Sequence, residues 1–262
     1  MLFLASFSSN DATLSQFYAL IVLLESFIES LTVVLPFYPT ATMERVVKEG
    51  TIATASTMAR LFNTLPSCGR PTCLLVYDVH TLQNRFYLSG HTLAQLESTV
   101  PLLRQELAAA GVDAVAFPDD GAAKRFGDMF PEFRDRLVTC GKHRNGDRRV
   151  VIIQDGEETA AMAKHVVIVD DLVQSGGTLY ECGEALKRAG AAKVSAFVAH
   201  AVFPGASWRR FAPGGDRAIF DRFWVSNSIP GTVDQLPRAA ADGLGGGFQV
   251  LDIMPKIAND LP

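Results

Sequence analysis

Short uncharged runs of apolar residues alternate with longer stretches in which apolar positions recur every three or four residues, from one end of this 262-residue chain to the other. Such short runs suit strands buried on both faces, and the amphipathic stretches between them suit the helical crossovers of a parallel sheet. The pattern predicts an α/β protein of mainly parallel sheets flanked by helices. Strands are predicted at Leu2–Phe7, Thr32–Leu35, Cys73–Tyr77, Ala114–Phe117, Val150–Ile153, Val166–Val169, Val194–Val202, Phe223–Ser226 and Gln249–Ile253. Helices are predicted at Asp11–Ser30, Thr51–Leu65, Leu93–Ala110, Ala122–Met129, Leu179–Ala189 and Met254–Leu261. The fifth helix carries the best stop signal, because Gly190 follows the cationic pair Lys187 and Arg188. Length allows one or two domains, and a boundary near residue 90 follows the third strand and its loop.

Composition removes several function classes. Twenty-four Lys and Arg against 28 Asp and Glu give a net charge of −4. No broad cationic surface is available for nucleic acid or anionic lipid, so a phosphate ligand must be held by local groups. A mean hydropathy of +0.17 excludes low-hydrophobicity disorder. The apolar N-terminal stretch has its first basic residue at Arg45, which argues against a signal peptide, and Glu25 and Glu29 break it short of a membrane span. Phe17–Ile28 reads instead as a buried helix. Cys68, Cys73, Cys140 and Cys182 form neither a CxxC pair nor a zinc spacing, so a reducing, cytoplasmic compartment is expected. The glycines at 243 and 245–247 read as a flexible surface segment, since no Lys-Ser or Lys-Thr follows them.

Chemistry concentrates in HVVIVDDLVQSGGTLYECGEALKRAG, His165 to Gly190. An uncharged strand delivers Asp170 and Asp171 into the small-residue turn Ser175-Gly176-Gly177-Thr178, which opens directly into a helix. In an open parallel sheet ligands bind beyond the carboxyl ends of the strands, and the start of the helix presents backbone N–H groups to an anion. Glycines permit close backbone approach, and the two hydroxyls add donors. The paired carboxylates cannot bind that anion and must serve hydroxyl groups or a divalent metal. The bland alternative is an ordinary strand-to-helix turn in which Asp171 caps the helix.

The stretch VVIVDDLVQSGGT, Val166 to Thr178, resembles the signature of proteins that bind 5-phosphoribosyl 1-diphosphate. In that pattern Asp170 and Asp171 hold the ribose hydroxyls, and Gln174, Ser175, Gly176, Gly177 and Thr178 hold the 5-phosphate. LLVYDVHTLQNRFY, from Leu74, and AVAFPDDGAAKRF, from Ala114, resemble segments of the ribose-phosphate diphosphokinases. So do HAVFPGAS at His200, VSNSIPG at Val225 and QVLDIMPKIANDL at Gln249, in the same order along nearly the whole chain. FYPTATMERV makes the likeness closest to the plant-type, phosphate-independent class.

The resemblance implies two phosphoribosyltransferase-like domains, residues 1–90 and 91–262, and a diphosphoryl transfer from ATP to the C1 hydroxyl of ribose 5-phosphate. It implies that His80 binds the nucleotide complex, that Mg2+ is shared by His80, Asp119 and Asp170, and that Lys142 and Arg144 of the cationic run KHRNGDRR are catalytic. Without the resemblance that run would be a solvated hairpin face and His80 a structural residue. His91, His143, His165 and His200 keep the structural reading. Where family members carry an Arg-Gln pair against adenine, this chain has Thr42 and Met43, leaving Arg45 as the nearest cation. Other nucleoside triphosphates are therefore expected as donors beside ATP.

Family members also carry a strand and a nucleotide-clamping loop ahead of the segment matching Leu2, and they assemble as homo-oligomers; no nucleic-acid or membrane partner is implied. Two other readings remain open: a non-catalytic regulatory paralogue, and a phosphoribosyltransferase that consumes the same diphosphate.

Overall fold

The computed structural model describes the chain except residues 27, 41, 44, 45, 47, 146, 147, 240–246 and 262, and gives the backbone alone for 143–145 and 148–150. The predicted nucleotide contact Arg45 and the glycines at 243, 245 and 246 lie outside the described residues, as does the side chain of Arg144. The chain divides into two compact units, residues 1–98 with 257–262, and residues 99–256.

The first unit holds β1 (Leu2–Leu4), α1 (Asn10–Leu24), β2 (Thr32–Leu35), α2 (Thr54–Asn63), β3 (Thr72–Tyr77) and β4 (Thr92–Glu97). Its four strands form a parallel sheet in the order β1-β2-β3-β4. Ser9 caps α1 by accepting a hydrogen bond from the Ala12 amide at 3.1 Å, which fixes where the helix begins. Phe7, Phe17 and Phe62 meet with ring centroids 5.0–5.9 Å apart and anchor α1 and α2 on the sheet. The helix is buried on this stripe only, since Tyr18 and Val22 on its other side are exposed. It ends at Leu24, so the expected fully buried helix to Ile28 is corrected to a shorter, half-buried one.

The expected helix from Leu93 is also corrected. Thr92–Glu97 adds to β3 as an edge strand, and the helix α3 (Val100–Ala110) starts only where Pro101 occupies its first turn. That strand belongs to the first sheet, which carries the division between units past residue 90 to Ser98.

The second unit continues with β5 (Ala114–Phe117), α4 (Asp120–Phe126), β6 (Leu137–Asn145), β7 (Arg148–Asp155), α5 (Glu157–Met162), β8 (His165–Val173) and α6 (Gly177–Ala189). It closes with β9 (Lys193–Ala201), β10 (Phe223–Ser226), α7 (Pro230–Val233), β11 (Phe248–Leu251) and α8 (Met254–Asp260), the last crossing into the residues of the first unit. Seven strands run in the order β11-β10-β9-β8-β5-β6-β7, parallel except for the antiparallel β6–β7 hairpin. The described residues of the cationic run, 142–145 and 148–149, belong to the two paired strands of this hairpin. Val166, Ile168, Cys182 and Leu186 share one core layer, while Val167, Val169, Phe117, Phe126 and Trp224 share the layer on the other face. An uncharged β8 is what a strand buried on both faces requires. Among the described residues no helix is long and apolar enough to cross a membrane.

The strand order locates the binding crevice. From β5 the chain proceeds to β6 and β7 on one side, and from β8 it proceeds to β9, β10 and β11 on the other. β5 and β8 are parallel neighbours, with Ala116 opposite Ile168, so the topological switch point lies between their carboxyl ends.

Candidate active site

Asp119 follows β5 at this switch point, and Asp170 to Thr178 end β8 and lead into α6. The turn from Gln174 to Gly176 exposes Gln174 and Ser175 and buries Gly176. Gly176 has a left-handed backbone, φ 71°, a conformation costly for residues with a Cβ. It is the N-cap of α6 and brings no capping side chain, so the first N–H groups of the helix are available to a ligand.

Asp170 keeps part of its surface open, whereas Asp171 is 5% exposed and its Oδ1 accepts the Leu172 amide at 2.8 Å. The Asp170 Oδ1 accepts the Asp171 amide at 2.9 Å. Burial, then the charge of Asp171 and a hydrogen bond with it, then the charge of Asp119, hold the Asp170 carboxyl well above the usual carboxylate range. Carboxyl groups crowded in this way favour a cation or hydroxyl donors. Asp119 is exposed and caps α4, its Oδ1 accepting the Ala122 amide at 2.9 Å. The resemblance makes Asp119 a metal or ribose ligand; the structure adds the cap, which holds the carboxylate at the strand end.

No three His, Cys, Asp or Glu side chains among the described residues form a metal-binding group. The fit for Mg2+ rests on Asp119 and Asp170 within the second unit, and that is enough, because this ion takes one or two carboxylates and completes its shell with phosphate oxygens and water.

Lys142 is exposed on β6, opposite Val151 of β7, and Arg144 lies two positions further, opposite Arg149. His80 belongs to the first unit, exposed on the bend after β3. Asp78 is fully buried with a left-handed backbone, φ 38°, and its Oδ1 accepts a hydrogen bond from Ser98 Oγ at 2.6 Å. Its part is to shape the bend that presents His80. His165 is buried and hydrogen-bonded through both ring nitrogens, to the Ala110 carbonyl at 3.0 Å and Ser195 Oγ at 2.7 Å. His200 is likewise buried, with Nδ1 2.8 Å from Ser228 Oγ.

Sequence reasoning passes over the wall behind the turn. Ser207 Oγ donates to the Gln174 carbonyl at 2.9 Å, Phe211 packs against Gly176, and Ile219 and Phe220 pack against Gly183 of α6. The available signals were HAVFPGAS, which contains Ser207, and the clustering of aromatic residues between Phe203 and Phe223.

Comparison with known proteins shows the family. The phosphoribosyl transferase domain family matches residues 103–210. Ribose-phosphate pyrophosphokinase 4 of Oryza sativa subsp. japonica is 45% identical over 99% of this chain and 78% of its own length. The chain belongs to the ribose-phosphate pyrophosphokinase family. Ribose-phosphate pyrophosphokinase 4 of Arabidopsis thaliana is 44% identical over 99% of this chain and 75% of its own. The mitochondrial ribose-phosphate pyrophosphokinase 3 of Spinacia oleracea is 46% identical over 98% of this chain and 62% of its own. The crystal structure of phosphoribosylpyrophosphate synthetase from Mycobacterium smegmatis shares the fold, with a TM-score of 0.73, 22% identity and coverage of 98% of this chain and 79% of that one.

Proposed function

We propose that this chain transfers the diphosphoryl group of ATP to the C1 hydroxyl of ribose 5-phosphate, giving 5-phosphoribosyl 1-diphosphate and AMP. The observation that carries this is the uncapped start of α6 behind the left-handed Gly176, with Asp170 at the adjacent strand end. The amides and hydroxyls from Ser175 to Thr178, with Gln174, hold the 5-phosphate, and Asp170, backed by Asp171, accepts hydrogen bonds from the ring hydroxyls. That grip aims the C1 hydroxyl at the β-phosphorus for in-line displacement, which needs no protein nucleophile. Asp119 and Asp170 would hold Mg2+, which when bound supplies charge neutralisation on the phosphates. Lys142 and Arg144 meet the charge that develops on the transferring and leaving oxygens, while His80 and Arg45 serve the nucleotide.

Other nucleoside triphosphates are accepted as donors, and the protein works as a homo-oligomer. A reducing compartment, the cytoplasm being the simplest, suits its four free cysteines. Relatives named pyrophosphokinases that match 99% of this chain favour this reading over a phosphoribosyltransferase. The test is AMP release from ATP by the purified chain. It is expected only when ribose 5-phosphate and Mg2+ are both present; release without the sugar, or none at all, overturns the proposal.

A further inference from the structure

The geometry points to Arg217 as an additional 5-phosphate ligand, outside the signature motif; this rests on the ribose 5-phosphate reading of the turn. Arg217 follows a Gly-Gly-Asp stretch that no motif covers. The fold carries it to the start of α6, where its Nη1 lies 3.8 Å from the position a Cβ on Gly177 would take. Gly177 is the first residue of that helix. Nη1 is fully buried and has no hydrogen-bond acceptor. A buried guanidinium N–H without an acceptor is costly, and an anion at the turn beside it would satisfy it.

Its surroundings hold the group in place without satisfying it. The guanidinium lies over the Tyr180 ring, 5.1 Å from the centroid, and Tyr180 stands on the same helix face one turn after Gly177. The Arg217 amide donates to the Arg210 carbonyl at 2.7 Å. The neighbouring carboxylate is engaged elsewhere, since Asp216 pairs with Arg210, whose Nε donates to Oδ1 at 3.0 Å.

The wall leading to Arg217 is itself strained. Phe203 and Ala206 have left-handed backbones, φ 40° and 57°, and are two of the three such non-glycine residues among those described. Their segment is tied to the strand end by the Phe203 amide, which donates to the Val173 carbonyl at 3.2 Å. Backbone strain kept beside a ligand turn is strain that positions something.

The uncapped helix amides and an Nη1 without an acceptor therefore lie side by side, a combination that suits a phosphate dianion. Arg217 would give the site its preference for ribose 5-phosphate over ribose and leave the diphosphoryl donor to other residues.

The test compares the wild-type chain with Arg217→Gln and Arg217→Lys. Ribose 5-phosphate binding is measured by calorimetry without nucleotide, and KM is measured for both substrates. Arg217→Gln is expected to weaken ribose 5-phosphate about tenfold to a hundredfold, in binding and in KM, with KM for ATP little changed. Arg217→Lys should recover part of that loss, because it restores the charge without the planar fork. Wild-type affinity in Arg217→Gln, or equal damage to both KM values with no recovery in Arg217→Lys, overturns the assignment. A wild type that does not bind ribose 5-phosphate overturns the reading of the turn itself, and this assignment with it.

Discussion

The ring of Phe211 occupies the space that a side chain at Gly176 would need, and a Cβ there would fall well inside van der Waals contact with it. With φ at 71° as well, the turn that presents the helix amides tolerates glycine alone. Gly176→Ala should cost about 2–4 kcal/mol, combining left-handed strain with overpacking. Urea unfolding measures it. Phe211→Ala in the same chain should remove the clash, so the double variant should lose less than the sum of the two.

Asp170 makes stability depend on pH in a direction that can be worked out. Its carboxyl titrates above the usual range in the folded chain, chiefly through burial and then through Asp171 and Asp119. The folded state therefore keeps a proton that the unfolded chain releases near pH 4. The stability this contributes is complete below about pH 4 and is lost as pH rises through the folded value. Without ligands, Asp170→Asn should melt above wild type at pH 8, with the gap closing toward pH 4, while activity is abolished. A variant that melts below wild type at pH 8 would count against this electrostatic account.

Lys142 is exposed on β6, so its replacement should leave folding alone. Lys142→Ala is expected to lower kcat by roughly 10²–10³, the range for losing a preorganised cation or donor. Its melting temperature should match wild type. A variant with normal kcat removes Lys142 from the chemistry.

Tyr77 is fully buried and its hydroxyl donates to Asp260 Oδ2 at 2.8 Å, tying the C-terminal helix to β3 within the first unit. Burial first, then this bond, pushes the phenol's pKa up. Tyr77→Phe should cost about 1–3 kcal/mol, read from denaturant midpoints. In wild type the raised pKa contributes stability that declines once pH passes about 10, where the unfolded phenol ionises.

The four thiols should separate by accessibility. Cys140 and Cys182 are both fully buried, with their sulfurs 3.0 Å apart, and the bond between them together with burial raises the Cys182 thiol. Cys68 and Cys73 are partly exposed, although burial raises Cys73. Alkylation of the native protein followed by peptide mass mapping should label Cys68 first, and Cys140 and Cys182 only on unfolding. Rapid native labelling of Cys182 would contradict this packing.

Much of the ligand end was legible because its determinants are local. Thr32–Leu35, Ala114–Phe117 and Phe223–Ser226 occur as predicted, since an uncharged β-branched or aromatic run between turn residues has few other ways to be buried. The same locality exposed the order strand, Asp170, glycine turn, helix. Thr92–Glu97 was not legible: Leu93, Ala94 and Leu96 fit the helical spacing that continues after them, and the strand's pairing with β3 depends on a sheet whose edge must first exist. The capping by Asp119 and the burial of Asp78 also escaped notice, because a carboxylate's partner cannot be read from its neighbours in sequence.

By itself, the sequence determined the α/β class, the β8–turn–α6 unit and the family, since each depends on residues adjacent in the chain. Only the tertiary structure decided that the switch point lies between β5 and β8, that Asp119, Asp170 and Asp171 crowd their charges there, and that Arg217 reaches Gly177. Those outcomes depend on strand order and on the docking of the Phe203–Arg217 wall, which are free energies of contact between segments far apart along the chain.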